Sequence, residues 1–286
     1  MNDRRSIARK AMSAALRTRL AAGYGLEEPL CAYDLAERLG IEVRFMDLPS
    51  MEGVYAPGSP PTIIVSSLRP SGRRAYTCAH ELGHHDHGDG LEIDELLEHS
   101  DRARFDPKEF SADCFAGALL MPKLAVSKAF ATRGWCIEEP SPEQISMVAG
   151  CFGVGYTTLI HHLRSALLLL PDRQARSLLK VPPRRAQSLL LGWETQNDVV
   201  VVDDHWTGRP IDVEVGNHIL VRGHTEFVGS CLQPFTEVKQ GALFLAARPG
   251  IGRLGNGAGW SAFVRVSRRN YVGRALYRHW EELADE

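Results

Sequence analysis

Two histidines four residues apart with a glutamate beside the first, in Thr77-Cys78-Ala79-His80-Glu81-Leu82-Gly83-His84, constrain this chain more than any other feature. On an α-helix, positions i and i+4 differ by only about 40° in azimuth and ~6 Å in rise, so His80 and His84 aim two imidazoles at one point. That is a metal-chelating pair. Glu81 lies about 100° round from His80, beside such a metal but outside its ligand set, where a carboxylate can take a proton from attacking water. Neutral imidazole suits Zn²⁺ best, although the same donors accept Mn²⁺ or Fe²⁺.

A hydrolytic zinc centre takes three protein ligands and keeps one position open. The third is sought downstream, where Glu109 opens a predicted helix through Leu120. A carboxylate there can cross the groove between two packed helices. Asp113, one turn later on the same face, is placed to hold the remaining N–H of His80 or His84. The metal helix continues as His85-Asp86-His87-Gly88, so a ligand set using His85, Asp86 or His87 stays open.

Ala79-His80-Glu81-Leu82-Gly83-His84 followed by Glu109-x-x-Ala112-Asp113-x-Phe115-Ala116-x-x-Leu119-Leu120-Met121-Pro122 resembles the signature of the ImmA/IrrE family of zinc metallopeptidases. Leu35-Ala36-x-x-Leu39-Gly40-Ile41 and the segment Gly53-x-Tyr55 through Ile64-Val65 stand where that family's N-terminal helix and sheet would. The resemblance covers about residues 5 to 170. It implies a zincin-like fold, intracellular site-specific proteolysis, and a helix-turn-helix transcriptional repressor as substrate, whose loss switches on stress-response or mobile-element genes. Carried over by position, His80, His84 and Glu109 are zinc ligands and Glu81 is the general base.

The rest of the chain predicts an α+β protein. A helix over Arg5 to Ala22 stops at Gly23 and Gly25, and Asp34 is the expected cap of a short helix through Leu39. Ile41 to Phe45 alternates like a half-buried strand, and Gly53 to Ala56 with Thr62 to Ser66 reads as an antiparallel hairpin. An extended substrate is expected along the hairpin edge near Val54 to Ala56. Tyr55, Tyr156 and His85 are candidates for steadying the oxyanion.

Residues Asp89 to Glu109 hold eight carboxylates, which reads as a solvated surface, with a substrate-selecting acidic rim as the alternative. Glu143 to Leu163 reads as helix, turn and helix, but Arg164 is the only cation beside it. Packing or partner recognition is therefore expected of it, and direct DNA binding is not. Beyond Val181-Pro182-Pro183, β-branched runs separated by turn residues predict a small sheet or sandwich, and Arg274 to Leu283 a terminal helix. The glycines from Gly250 to Gly259 suggest a hairpin tip. The expected organisation is a metallopeptidase domain over 1–138, a helix-turn-helix-like segment over 139–180, and a β-rich domain over 184–286 that senses a signal or docks a partner.

At 286 residues, with 33 Lys plus Arg against 35 Asp plus Glu, the chain has a formal charge of −2 and no global electrostatic reason to bind nucleic acid or anionic membrane. Six scattered cysteines without a C-x-x-C pair suit reduced thiols, with Cys78 in the core. The longest aliphatic run, Leu167 to Leu170, is far short of a membrane span, and a cytosolic location is expected. The rival reading is a non-catalytic regulator that uses its metal for folding and acts through the helical or C-terminal region.

Overall fold

A computed structural model of the chain describes residues 2–95, 105–223, 225–257 and 259–280. The protein is mixed α+β and divides into two compact units, one of Met1–Ala125 with Asn270–Leu276, the other of Val126–Arg269 with Tyr277–Glu286. The helical 139–180 segment and most of the β-rich region therefore share one unit.

In the first unit, helices α1 (Asn2–Ala21) and α2 (Ala32–Arg38) precede strands β1 (Glu42–Met46), β2 (Met51–Ala56) and β3 (Thr62–Ser66). Helix α3 (Ser71–His87), strand β4 (Glu92–Glu95) and helix α4 (Pro107–Leu120) follow, and β13 (Gly273–Arg274) arrives from near the C-terminus. The sheet runs β13-β1-β3-β2-β4. β1 and β3 are parallel, whereas β2 is antiparallel to both β3 and β4. Val43, Phe45, Ile63 and Val65 bury the side chains that their alternation predicts, and Cys78, Leu82, Phe115 and Leu119 complete the core from α3 and α4. Arg19 is fully buried and ties three loose ends together. It donates to the carbonyls of Leu119 at 2.6 Å, Glu28 at 2.5 Å and Gly25 at 2.6 Å.

Several sequence expectations change here. Cys31, not Asp34, stands at the cap of α2, because the helix starts three residues earlier and leaves Asp34 in the first turn, where its charge favours the helix dipole. Tyr55 of β2 pairs with Glu92 and Val54 with Ile93, so the hairpin edge expected to receive substrate is covered by β4, from the acidic stretch itself. Alternation in Glu92-Ile93-Asp94 is a strand signal that the charge count hides. The rest of that stretch, 96–104 with Glu98, Asp101, Arg102 and Arg104, lies outside the described residues. Arg274–Leu283 is not a helix over its described part. Gly273 and Arg274 pair with Phe45 and Arg44 as a strand, one 3₁₀ turn spans Ala275–Tyr277, and residues 281–283 lie outside the description.

Pro107–Ala131 is apolar and long enough to cross a membrane by composition alone, yet 61% of its most apolar window is buried in the protein. It is also two helices, since α5 (Lys123–Ala131) begins after a break at Met121–Pro122. Its apolar character is that of a core.

The second unit opens with α6 (Pro142–Phe152) and α7 (Tyr156–His161), continued by a π turn over His162–Ala166, then α8 (Asp172–Leu179) and α9 (Pro183–Leu191). Ser141 and Gln144 form a capping box at the start of α6, and Gly153, at φ +64°, ends it. Strands β5 (Val199–Val202), β7 (His218–Val221), β10 (Gly241–Ala246) and β9 (Leu232–Val238) form one four-stranded sheet in that spatial order. Strands β6 (Ile211–Glu214), β12 (Ser261–Ser267), β11 (Gly250–Gly255) and β8 (Glu226–Val228) form the other. Half of the expected glycine tip is thus strand β11. Gly252 is required there because a Cβ would stand 2.5 Å from the Phe227 ring.

Candidate metal centre

Helix α3 starts after Pro70 and ends at Gly88, whose φ of +70° closes the last turn in the left-handed conformation. On its buried face the Nε2 atoms of His80 and His84 converge to 3.2 Å. Helix α4 is capped by Asp106, which accepts from the Lys108 N–H at 2.8 Å, and Glu109 sits in its first turn. The Glu109 carboxylate bridges the pair. Its Oε2 lies 3.2 Å from His80 Nε2 and its Oε1 3.4 Å from His84 Nε2. One donor atom from each of the three residues falls within 4.8 Å of the others, the spacing of a shared ion.

Small residues bring the two helices this close. A Cβ on Gly83 would lie 3.0 Å from Ala112 Cα, so the α3–α4 contact is backbone against backbone. Gly53 of β2 plays the same part beneath Glu81. A Cβ there would stand 2.5 Å from Thr77 Cγ2 and 2.7 Å from Glu81 Oε1, which places the fully buried Glu81 carboxylate against the strand. Gly53→Ala is therefore expected to destabilise the first unit by about 1–3 kcal/mol, read as a lowered Tm by circular dichroism, because Thr77 and Glu81 must both move.

Each histidine is oriented through its other ring nitrogen. His80 Nδ1 lies 3.1 Å from Asp113 Oδ1, where the sequence places that acid, and His84 Nδ1 lies 3.0 Å from Asp89 Oδ2. Lys108 Nζ approaches Asp89 Oδ1 at 3.2 Å. The Asp89 contact escapes sequence reasoning. Its signal is position alone, one residue beyond the Gly88 cap, where the chain turns back over the end of α3.

The remaining candidates are engaged elsewhere. Tyr55 OH meets His85 Nδ1 at 2.9 Å, Asp86 accepts from Thr18 Oγ1 at 3.0 Å, and His87 Nε2 contacts Ser111 Oγ at 3.0 Å. The structure thus brings His80, His84 and Glu109 together and not His85, Asp86 or His87. Tyr156 belongs to the second unit and donates to the Leu178 carbonyl at 3.1 Å. Cys78 is buried in the core, as its azimuth predicts.

The field at this point favours positive charge. Burial alone would lower the His80 pKa, but hydrogen bonds to Asp113 and Glu109 outweigh it and raise it to about 10. His84 is raised by Glu109 and Asp89 against the same burial penalty. Contact with His80, then His84, holds Glu109 well below the usual carboxylate range. Glu81, Asp89, Glu109 and Asp113 outnumber the single Lys108, and two imidazoles face one carboxylate. Donors and charge both fit a divalent cation.

Residues 36–164 match the family described as the IrrE N-terminal-like domain, Peptidase M78. No curated protein matches the chain. A solved structure titled Mycobacterium tuberculosis transcriptional regulator is 22% identical, with a TM-score of 0.37 over 58% of this chain and 49% of its own. The chain thus spans about half the length of that protein. Residues 36–164, which hold both helices of the His80, His84 and Glu109 cluster, thus match the IrrE N-terminal-like domain of peptidase family M78, the family whose signature the sequence resembles.

Proposed function

We propose that this chain is an intracellular zinc-dependent endopeptidase with a zincin-like catalytic domain, and that it cleaves a helix-turn-helix transcriptional repressor. The observation that carries the reading is the convergence of His80, His84 and Glu109 on one point with Glu81 buried beside them. When bound, zinc supplies a Lewis acid that polarises the scissile carbonyl and makes water acidic near neutral pH.

The chain's own residues do the rest. His80, His84 and Glu109 hold the ion, while Asp113 and Asp89 fix which ring nitrogen each histidine presents. Glu81 accepts the proton of the water that adds to the carbonyl carbon, then delivers it to the amine as the C–N bond breaks. A purely structural site normally closes its fourth position with a protein ligand and has no use for an adjacent base, which favours the peptidase over a non-catalytic regulator. With β4 on the edge of β2, an extended substrate pairs with β2 only after β4 has left it.

The test is metal analysis of the purified protein together with a cleavage assay on the helix-turn-helix repressor encoded nearest its gene. One equivalent of zinc and a single cleavage site are expected. Intact repressor after incubation with the zinc-loaded protein overturns the reading. Asp89→Ala and Asp113→Ala are each expected to weaken zinc affinity about 10–100-fold in competition with a chromophoric chelator.

A further inference from the structure

Charge is segregated in the second unit. Between Arg164 and Arg185 the chain carries six cations against one acid, Asp172, in a protein whose formal charge is −2. Asp172 is spoken for, since it accepts from Arg164 Nε at 2.5 Å. Arg173, Arg176, Lys180, Arg184 and Arg185 are all exposed. Arg184 engages only the neutral amide of Gln196, and the other four side chains make no ion pair or hydrogen bond among the described residues.

Geometry turns these residues into a stripe. At about 100° per residue, Arg173, Arg176 and Lys180 fall within an arc of about 60° on α8 and its final turn. Ala175 and Leu178, buried, occupy the opposite side. Arg184 and Arg185 follow four and five residues after Lys180, within about 18 Å even of fully extended chain. They stand in the first turn of α9, which holds no acidic residue. Cations there oppose the partial positive charge of the helix N-terminus, so the placement works against helix stability and suits an anion outside the protein.

We infer that the cationic stripe of α8 and the start of α9 is a docking surface for the phosphate backbone of duplex DNA. Four of the five cations are arginine, whose planar fork matches phosphate. No aromatic side chain lies between Asp172 and Leu191, so the surface lacks the stacking platform that single-stranded nucleic acid uses. Of the apolar residues of α8, Ala175 and Leu178 are buried and Leu179 is half-buried, so that helix presents no fully exposed apolar side chain to enter a bilayer. Contacts of this kind position a protein on DNA without reading sequence. Sparse charge in α6 and α7 weighs against DNA binding by those helices, and the cations lie in the two helices that follow.

The test is fluorescence anisotropy of the full-length protein with a labelled 20-base-pair duplex of arbitrary sequence across a salt series. The slope of log K against log salt is expected to approach about −4.5 for five phosphate contacts, at about −0.9 each. The triple variant Arg173→Gln, Arg176→Gln, Lys180→Gln should flatten it by about 2.7. All three side chains are exposed, and an unchanged circular dichroism spectrum confirms folding of the variant. Equal slopes for the two proteins overturn the inference, as does tighter binding to a single strand of the same length. Binding to phosphatidylserine–phosphatidylcholine vesicles without binding to the duplex also overturns it, in favour of a membrane surface. Glu81→Gln is expected to bind the duplex as the wild type does, which keeps this result separate from that of the peptidase test.

Discussion

Glu81→Gln is expected to retain one equivalent of zinc and to lose about 10²–10⁴-fold in the rate of repressor cleavage, the usual contribution of a positioned general base. Glutamine keeps the shape of the side chain, which matters because Glu81 is fully buried against Gly53 and Thr77. It removes the negative charge and the capacity to take a proton, and leaves the ligand atoms in place. The three residues that converge, His80, His84 and Glu109, are untouched. Zinc measured by mass spectrometry and cleavage followed by gel on the same preparation separate the two effects. A variant that cleaves at the wild-type rate shows that Glu81 is not the base, and one that loses its zinc shows that Glu81 serves the fold of the site.

The second large effect lies far from this chemistry in sequence. Asp212→Ala is expected to destabilise the second unit by about 3–5 kcal/mol, because it removes the carboxylate that several buried guanidinium groups share. Arg265 grips Asp212 with two nitrogens, at 2.7 and 2.8 Å, and Arg209 adds a contact at 3.3 Å. Arg278 and His279 approach at 3.6 and 3.5 Å. Burial alone would raise the Asp212 pKa, but Arg265 and Arg278 hold it well below the ordinary carboxylate range. All five tryptophans, Trp135, Trp193, Trp206, Trp260 and Trp280, belong to this unit, so their fluorescence in urea reports it alone. A loss below about 1 kcal/mol places the cluster among pairs whose Coulomb attraction only repays their desolvation.

The strands of the second unit were legible because Val199–Val202 and Ile211–Glu214 are β-branched runs closed by turn residues. The hairpin of β2 and β3 was legible for the same reason. The error at Arg274–Leu283 has a tertiary cause. Gly273 and Arg274 are drawn into a strand by β1, some 230 residues earlier, and the Arg274 guanidinium is held 3.1 Å from Glu42. No local pattern carries a partner that distant.

The histidine pair, the glutamate beside it and the helical spacing of Glu109 and Asp113 are properties of sequence alone, because the period of an α-helix decides which side chains share a face. Whether two such faces meet is a different matter. That was decided by Gly83 against Ala112, by the chain turning at Gly88 so that Asp89 reaches His84, and by β4 closing over the edge of β2. These are contacts between segments whose approach depends on how the whole first unit packs, and the helical period says nothing about them.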